Sequence, residues 1–225
     1  MIESLTPEIQ MIKNHSNSFL IQLKDSCLLI DCGMDKKAKE ILEVIEKTGK
    51  KLKAILITHG HLDHINGLAK IKEKFPNALV ASSEEDKNAI EGKEIILPRG
   101  IKGFFFKILS FFIGYKGVKV DKILRDNENF ENLKVIYTPG HTRGGLSFLF
   151  KIKKQNVLFV GDLVIVKNGK LCLAPEEFNF DKDQIKKSIE KISEIKVDLL
   201  LSGHGEPLKE KVNEKLKELI KELNV

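Results

Sequence analysis

Short apolar runs alternate with amphipathic stretches along most of the 225-residue chain. Residues 19–23 and 27–30 read as a strand pair turning at Lys24-Asp25-Ser26, followed by a helix near 36–48 that Gly49 ends. Residues 54–58 read as a buried strand, 65–75 as a helix stopping before Pro76, and 78–81 as another short strand. After a less regular middle, 133–137, 146–151 and 157–160 form a run of adjacent strands. A helix over 181–195, a strand over 199–201 and a closing helix over 208–223 complete the pattern. Two blocks of strands, each accompanied by helices, predict an α/β class with two sheets packed together and helices outside. No linker or internal repeat interrupts the chain.

The middle is unusual. Residues 100–117 read GIKGFFFKILSFFIGYKG, with five Phe in the nine positions from Phe104 to Phe112. The run is too short, and too interrupted by Lys107, to span a bilayer. Core packing, a lid-like pocket wall, a homodimer contact and a membrane-surface element are its alternative readings.

Candidate chemistry is concentrated at the ends of the predicted strands. Directly after an apolar run comes Thr58-His59-Gly60-His61-Leu62-Asp63-His64. Three imidazoles and a carboxylate within six residues crowd polar groups without structural benefit, and metal binding supplies one. His59 and His61 are two apart, so extended backbone projects them to one side. Asp63 and His64 follow where the chain turns. Three further strand ends repeat the context: His141 in YTPGH, Asp162 after Gly161, and His204 between Gly203 and Gly205. In each, a strand ends, a Gly relaxes the backbone, and one His or Asp is presented.

With these residues in this order, the chain resembles the metallo-beta-lactamase-fold hydrolases. The likeness rests on HxHxDH at 59–64, His141 in TPGHT, Asp162 in LFVGD and His204 in SGHG, and so covers nearly the whole chain. It implies a four-layer αββα sandwich, one domain over 1–225, with the site at one rim. It further implies His59, His61 and His141 on one metal, Asp63, His64 and His204 on the other, and Asp162 between them. Two divalent ions are implied, zinc foremost, although iron or manganese suits the same donors. The shared water would ionise near neutral pH, and the bridging hydroxide would attack a carbonyl or phosphoryl centre. Asp63 then has a second, catalytic role, orienting the hydroxide and handling its proton.

Asp162 stands where a major group of beta-lactamases has Cys, which favours the thioester, lactone and phosphodiester branches over antibiotic hydrolysis. In size and motifs the chain is most similar to small glyoxalase-II-like hydrolases. Only 21 residues follow His204, whereas the longer type carries a helical substrate domain there. The expected activity is hydrolysis of a thioester, lactone or other carboxylic ester. Two alternatives share the fold: a mononuclear iron persulfide dioxygenase using His59, His141 and Asp162, and a phosphodiesterase or ribonuclease.

Charge refines the expected partner. Lys and Arg number 38 against 32 Asp and Glu, a formal net charge of +6. No basic block is interleaved with aromatics, so nothing argues for nucleic acid. With two divalent ions added, the positive balance reads as attraction for a small anionic substrate. No membrane-spanning run and no secretory pattern are present, which makes a cytoplasmic protein the expectation. His15 reads as a loop histidine, and Cys27, Cys32 and Cys172 as small core residues without disulfide or metal spacing.

Overall fold

Two sheets, each with its own helices, organise the chain in the computed structural model, which describes residues 1–100, 103, 114–153 and 155–224. Its contacts divide into two compact units, Met1–Leu97 with Ile101–Ile123, and Pro98–Gly100 with Leu124–Val225. Nearly all of the Phe-rich stretch, 101–102 and 104–113, lies outside the described residues, and so does its expected lid-like role.

The first unit is built on seven strands paired in chain order. β1 (Ile2–Ser4), β2 (Ile9–Lys13), β3 (Asn17–Gln22) and β4 (Ser26–Ile30) run antiparallel. β5 (Lys51–Leu56), β6 (Leu79–Ser82) and β7 (Lys122–Ile123) then continue parallel to β4. Parallel pairing requires crossovers, and α1 (Lys39–Lys47) and α3 (Leu68–Lys74) supply two of them. Ile41, Val44 and Ile45 of α1 recur at helical spacing and share a core with Leu68 and Ile71 of α3 and with Leu29, Leu52 and Ile55 of the strands. The predicted hairpin at 19–30 is present, whereas β1 and β2 went unforeseen.

Two boundaries differ from expectation for physical reasons. The strand expected at 54–58 ends at Leu56, because the Thr58 N–H is taken by the Asp31 carboxylate. The helix expected at 65–75 is broken into α2 (Leu62–Ile65) and α3, and a further short helix, α4 (Lys87–Ile90), follows β6. Gly67 sits at the break, where a Cβ would lie 2.3 Å from the Cys32 carbonyl oxygen, so only glycine admits this approach.

The second unit carries a five-stranded sheet in the order β14-β11-β10-β9-β8. β8 (Asn129–Phe130), β9 (Leu133–Tyr137), β10 (Leu146–Ile152) and β11 (Gln155–Gly161) are antiparallel neighbours, and β14 (Leu199–Ser202) pairs parallel to β11. α5 (Lys182–Ser193) contributes Ile185, Ile189 and Ile192, and α6 (Val212–Glu222) contributes Val212, Leu216 and Leu219, to a core with Leu149, Leu158, Val160 and Leu200. β12 (Ile165–Lys167) and β13 (Lys170–Cys172) form a separate hairpin. Cys27 and Cys32 are buried as expected, with burial raising the Cys27 thiol to about 11, and Cys172 is half-buried.

Asp181 caps α5, accepting the Gln184 N–H at 3.0 Å. This bond holds its carboxyl below the usual range. A depressed folded-state value stabilises the fold above the unfolded carboxyl value and ceases to do so as pH falls through the folded one. Asp181→Ala should therefore lower the Tm by a few degrees at pH 7 and by less near pH 3, as thermal melts at both pH values would show.

Candidate metal centre

In the first unit, β4, β5 and β6 are parallel neighbours, so their C-terminal ends emerge along one edge. That topology sets Asp31, the Thr58–Gly60 turn and Asp86 in a row. Asp31 is 1% exposed and left-handed, at φ 57°. Its carboxylate accepts the Thr58 N–H at 2.8 Å, the Thr58 hydroxyl at 2.7 Å and the His64 Nδ1–H at 2.9 Å. The single proton of the Thr58 hydroxyl goes to Asp31, because a carboxylate can only accept. The His59 Nδ1, 3.0 Å from that hydroxyl oxygen, must then be the donor of the pair. His59 and His64 thus both keep their Nε2 lone pair for a ligand.

Further contacts hold the loop between these histidines. The Gly60 N–H donates to Asp86 Oδ2 at 2.9 Å, midway between His59 and His61. The His59 ring lies 4.9 Å from that of His61 and 4.1 Å from that of His64, centroid to centroid. Asp63 and His64 share the single turn of α2, with His64 Nε2 3.6 Å from Asp63 Oδ2. The Ser16 hydroxyl donates to the Asp63 backbone oxygen. The N-terminal loop thereby reaches the α2 turn through Ser16, while His15 is exposed.

In the second unit, β9 and β11 both run antiparallel to β10, and β14 runs parallel to β11. Their C-terminal ends therefore share an edge, which brings together His141, Asp162 and His204. Asp162 Oδ2 is 3.3 Å from His204 Nε2 and 3.7 Å from His141 Nε2. His141 Nδ1 lies 2.9 Å from Asn179 Oδ1. The Asn179 amide nitrogen donates to Ala174 O at 2.8 Å, which fixes the amide so that its oxygen faces the ring. His141 then donates through Nδ1 and, like the other two, presents Nε2.

A metal fits the donors within each unit. Donors about 2.0–2.1 Å from one tetrahedral ion are separated by about 3.3–3.4 Å. The spacings of 3.3, 3.6 and 3.7 Å lie close to that edge, and are longer than usual for direct N–H···O bonds. Imidazole nitrogen and carboxylate oxygen are donors suited to zinc, iron and manganese alike. Sequence reasoning singled out the seven ligand candidates but missed Asp31, Asp86 and Asn179, which orient them. A buried acid placed directly after a strand, Asp31, was the available signal.

Residues 12–204 match the model of the metallo-beta-lactamase superfamily. The chain belongs to that superfamily. It is a metal-dependent hydrolase with the α/β metallo-beta-lactamase fold, as the sequence reading expected. A hydroxyacylglutathione hydrolase of Blochmanniella pennsylvanica (strain BPEN) is 29% identical over 163 residues, covering 72% of this chain and 52% of that one. The chain thus spans about half the length of that relative. The metallo-beta-lactamase BJP-1, of subclass B3, from Bradyrhizobium japonicum superposes with a TM-score of 0.74 at 23% identity, over 99% of this chain and 92% of that one. TTHA1623 in a di-iron-bound form superposes with a TM-score of 0.69 at 21% identity, over 93% and 94%. Among the described residues, no helix of this superfamily member is long and apolar enough to cross a membrane.

Proposed function

We propose that this protein hydrolyses a thioester, lactone or other carboxylic ester with two divalent ions, zinc foremost. His59, His61 and His141 would hold one ion, Asp63, His64 and His204 the other, and Asp162 would serve both. The observation that carries this reading is the fixed tautomer of His59, His64 and His141: in each, an oxygen occupies Nδ1 and directs the Nε2 lone pair outward. Core histidines need no such uniformity. When bound, the ions supply Lewis acidity and lower the pKa of water toward neutrality.

The chain's own groups supply the rest. Asp31 and Asn179 set the ring planes, so that little reorganisation accompanies the reaction. Asp63 is the more accessible of the two carboxylates, its side chain 23% exposed against 7% for Asp162. It is therefore suited to orient the attacking oxygen and to accept its proton at a carboxylate oxygen, while buried Asp162 is suited to hold metal. Neither a Ser nor a Cys nucleophile is required. The substrate is a small anion, in keeping with the net charge of +6.

The test is metal removal followed by a substrate panel. Dialysis against a chelator should abolish hydrolysis of thioesters and lactones, and zinc or manganese should restore it. Full activity of the metal-free protein would overturn the metal reading. Selective cleavage of bis-(p-nitrophenyl) phosphate would overturn the ester reading, and one iron per chain with oxygen uptake would replace hydrolysis by oxidation.

A further inference from the structure

Arginine is scarce here: of the 38 basic residues only Arg99, Arg125 and Arg143 are Arg. A chain that meets its surface charge with Lys uses Arg where a planar, multiply donating cation matters. Two of the three abut the short segment that orients His141. The Arg99 N–H donates to Glu177 O at 2.6 Å, and its guanidinium to Glu176 O at 3.2 Å. Both are backbone acceptors in the 3-10 turn Glu176–Phe178, so Arg99 is structural. Arg143 is different.

The Arg143 Cζ lies 4.8 Å above the centre of the Phe180 ring. Among the described residues, Phe180 is one of few large apolar side chains left exposed, at 41%. Its backbone N–H donates to His141 O at 3.0 Å, and its neighbour Asn179 bonds the His141 ring. The other side of the same loop is also held, since the Tyr137 hydroxyl donates to Arg143 O at 2.7 Å. The guanidinium carbon is thus held over a ring anchored to the His141 backbone, two residues from that histidine. No carboxylate among the described residues pairs with it. A guanidinium held over a ring by its carbon keeps N–H groups for other partners, and its planar fork can receive a carboxylate through two parallel hydrogen bonds. A cation needed only for solubility requires neither a platform nor a clamped backbone.

We propose that Arg143, seated on Phe180, is a specificity-determining residue that binds a carboxylate on the substrate, so that the preferred ester or thioester carries a negatively charged carboxylate remote from the scissile bond. The inference rests on the hydrolase reading above and adds to it the identity of the anionic group and of its receptor. One guanidinium matches one monoanion, and its lateral position beside His141 selects substrates with the charge at one end and the ester at the other.

A matched substrate pair tests it. S-glutaryl-N-acetylcysteamine and the isostere bearing a terminal carboxamide differ only in that charge. Zinc-loaded wild-type protein should show a kcat/KM at least about tenfold higher for the carboxylate, carried mainly in KM. Arg143→Ala should bring the ratio toward one. Arg143→Lys should leave an intermediate ratio, because charge is kept and the fork lost, and Phe180→Leu should lower it by freeing the guanidinium. Because the ratio is taken within one protein, a general loss of activity does not mimic the effect. A second arm measures calorimetric binding of the thioether analogues, in which a methylene replaces the scissile carbonyl. If neither thioester is cleaved but the carboxylate thioether binds wild type and not Arg143→Ala, the ester-substrate reading fails and the Arg143 site stands. If wild type cleaves both thioesters with a ratio that Arg143→Ala leaves unaltered, the site is overturned and the hydrolase reading stands. Absence of both cleavage and carboxylate-dependent binding overturns the two together.

Discussion

Asp31→Asn is expected to weaken zinc binding about 10- to 100-fold, the usual cost of losing a group that orients metal ligands. It should also destabilise the metal-free protein by roughly 3 kcal/mol. Three donors converge on this one buried carboxylate: the Thr58 N–H, the Thr58 hydroxyl and His64 Nδ1. An amide has one oxygen, so in either orientation its NH2 group meets at least one of those donors head-on. If the hydroxyl turns away from position 31, it can donate to His59 Nδ1, which moves the ring proton to Nε2 and removes the lone pair a metal needs. One substitution thereby reaches two candidate ligands, His59 and His64, without altering either ring. Asp86→Asn is the control, since Asp86 accepts the Gly60 N–H, and an amide oxygen can do the same. Chelator competition with zinc and urea unfolding of the metal-free proteins give the two readouts. Zinc affinity of Asp31→Asn within about threefold of wild type would sink the tautomer argument.

The seven ligand candidates were legible because polar residues directly after apolar strands carry a local signature, and glycine beside His141, Asp162 and His204 strengthened it. The residues that orient them were not. Asp31 lies 33 residues from His64 in sequence, and Asn179 lies 38 from His141, so only the parallel and antiparallel pairing of strand ends reveals the contact. The same holds for fold boundaries. The helix break at Gly67 depends on the distant Cys32 carbonyl, which no periodicity within 62–74 encodes. The β12–β13 hairpin, by contrast, was readable: Asn168-Gly169, both at positive φ, is the dipeptide that two-residue hairpin turns demand. It was masked by the short strands on either side. β1 and β2 escaped for a related reason, since the edge strand β1 is mostly exposed and Thr6-Pro7 reads as a breaker.

The glycine after His204 carries a severe steric demand beside a candidate ligand. Gly205 has φ +99°, and a Cβ built there would lie 1.7 Å from the Val166 carbonyl oxygen. That is backbone against backbone, so no side-chain rotation relieves it. Val166 and Gly205 form an isolated bridge, and the Val166 N–H donates to His204 O at 3.2 Å. An added methyl must therefore either lift the β12–β13 hairpin or displace the His204 backbone. Gly205→Ala is expected to cost at least about 3–4 kcal/mol, a Tm decrease of roughly 8–15 °C for a chain of this size. Gly169→Ala separates the causes: its φ of +71° imposes the left-handed penalty, but nothing lies within 4 Å of its Cβ. That variant should lose only about 1–2 kcal/mol. Thermal melts of both metal-free proteins measure the difference, and zinc stoichiometry shows whether His204 has moved, since its displacement should reduce the ions held per chain. Equal melting temperatures for the two variants would mean that the hairpin yields freely and that the close approach of Val166 does not position His204.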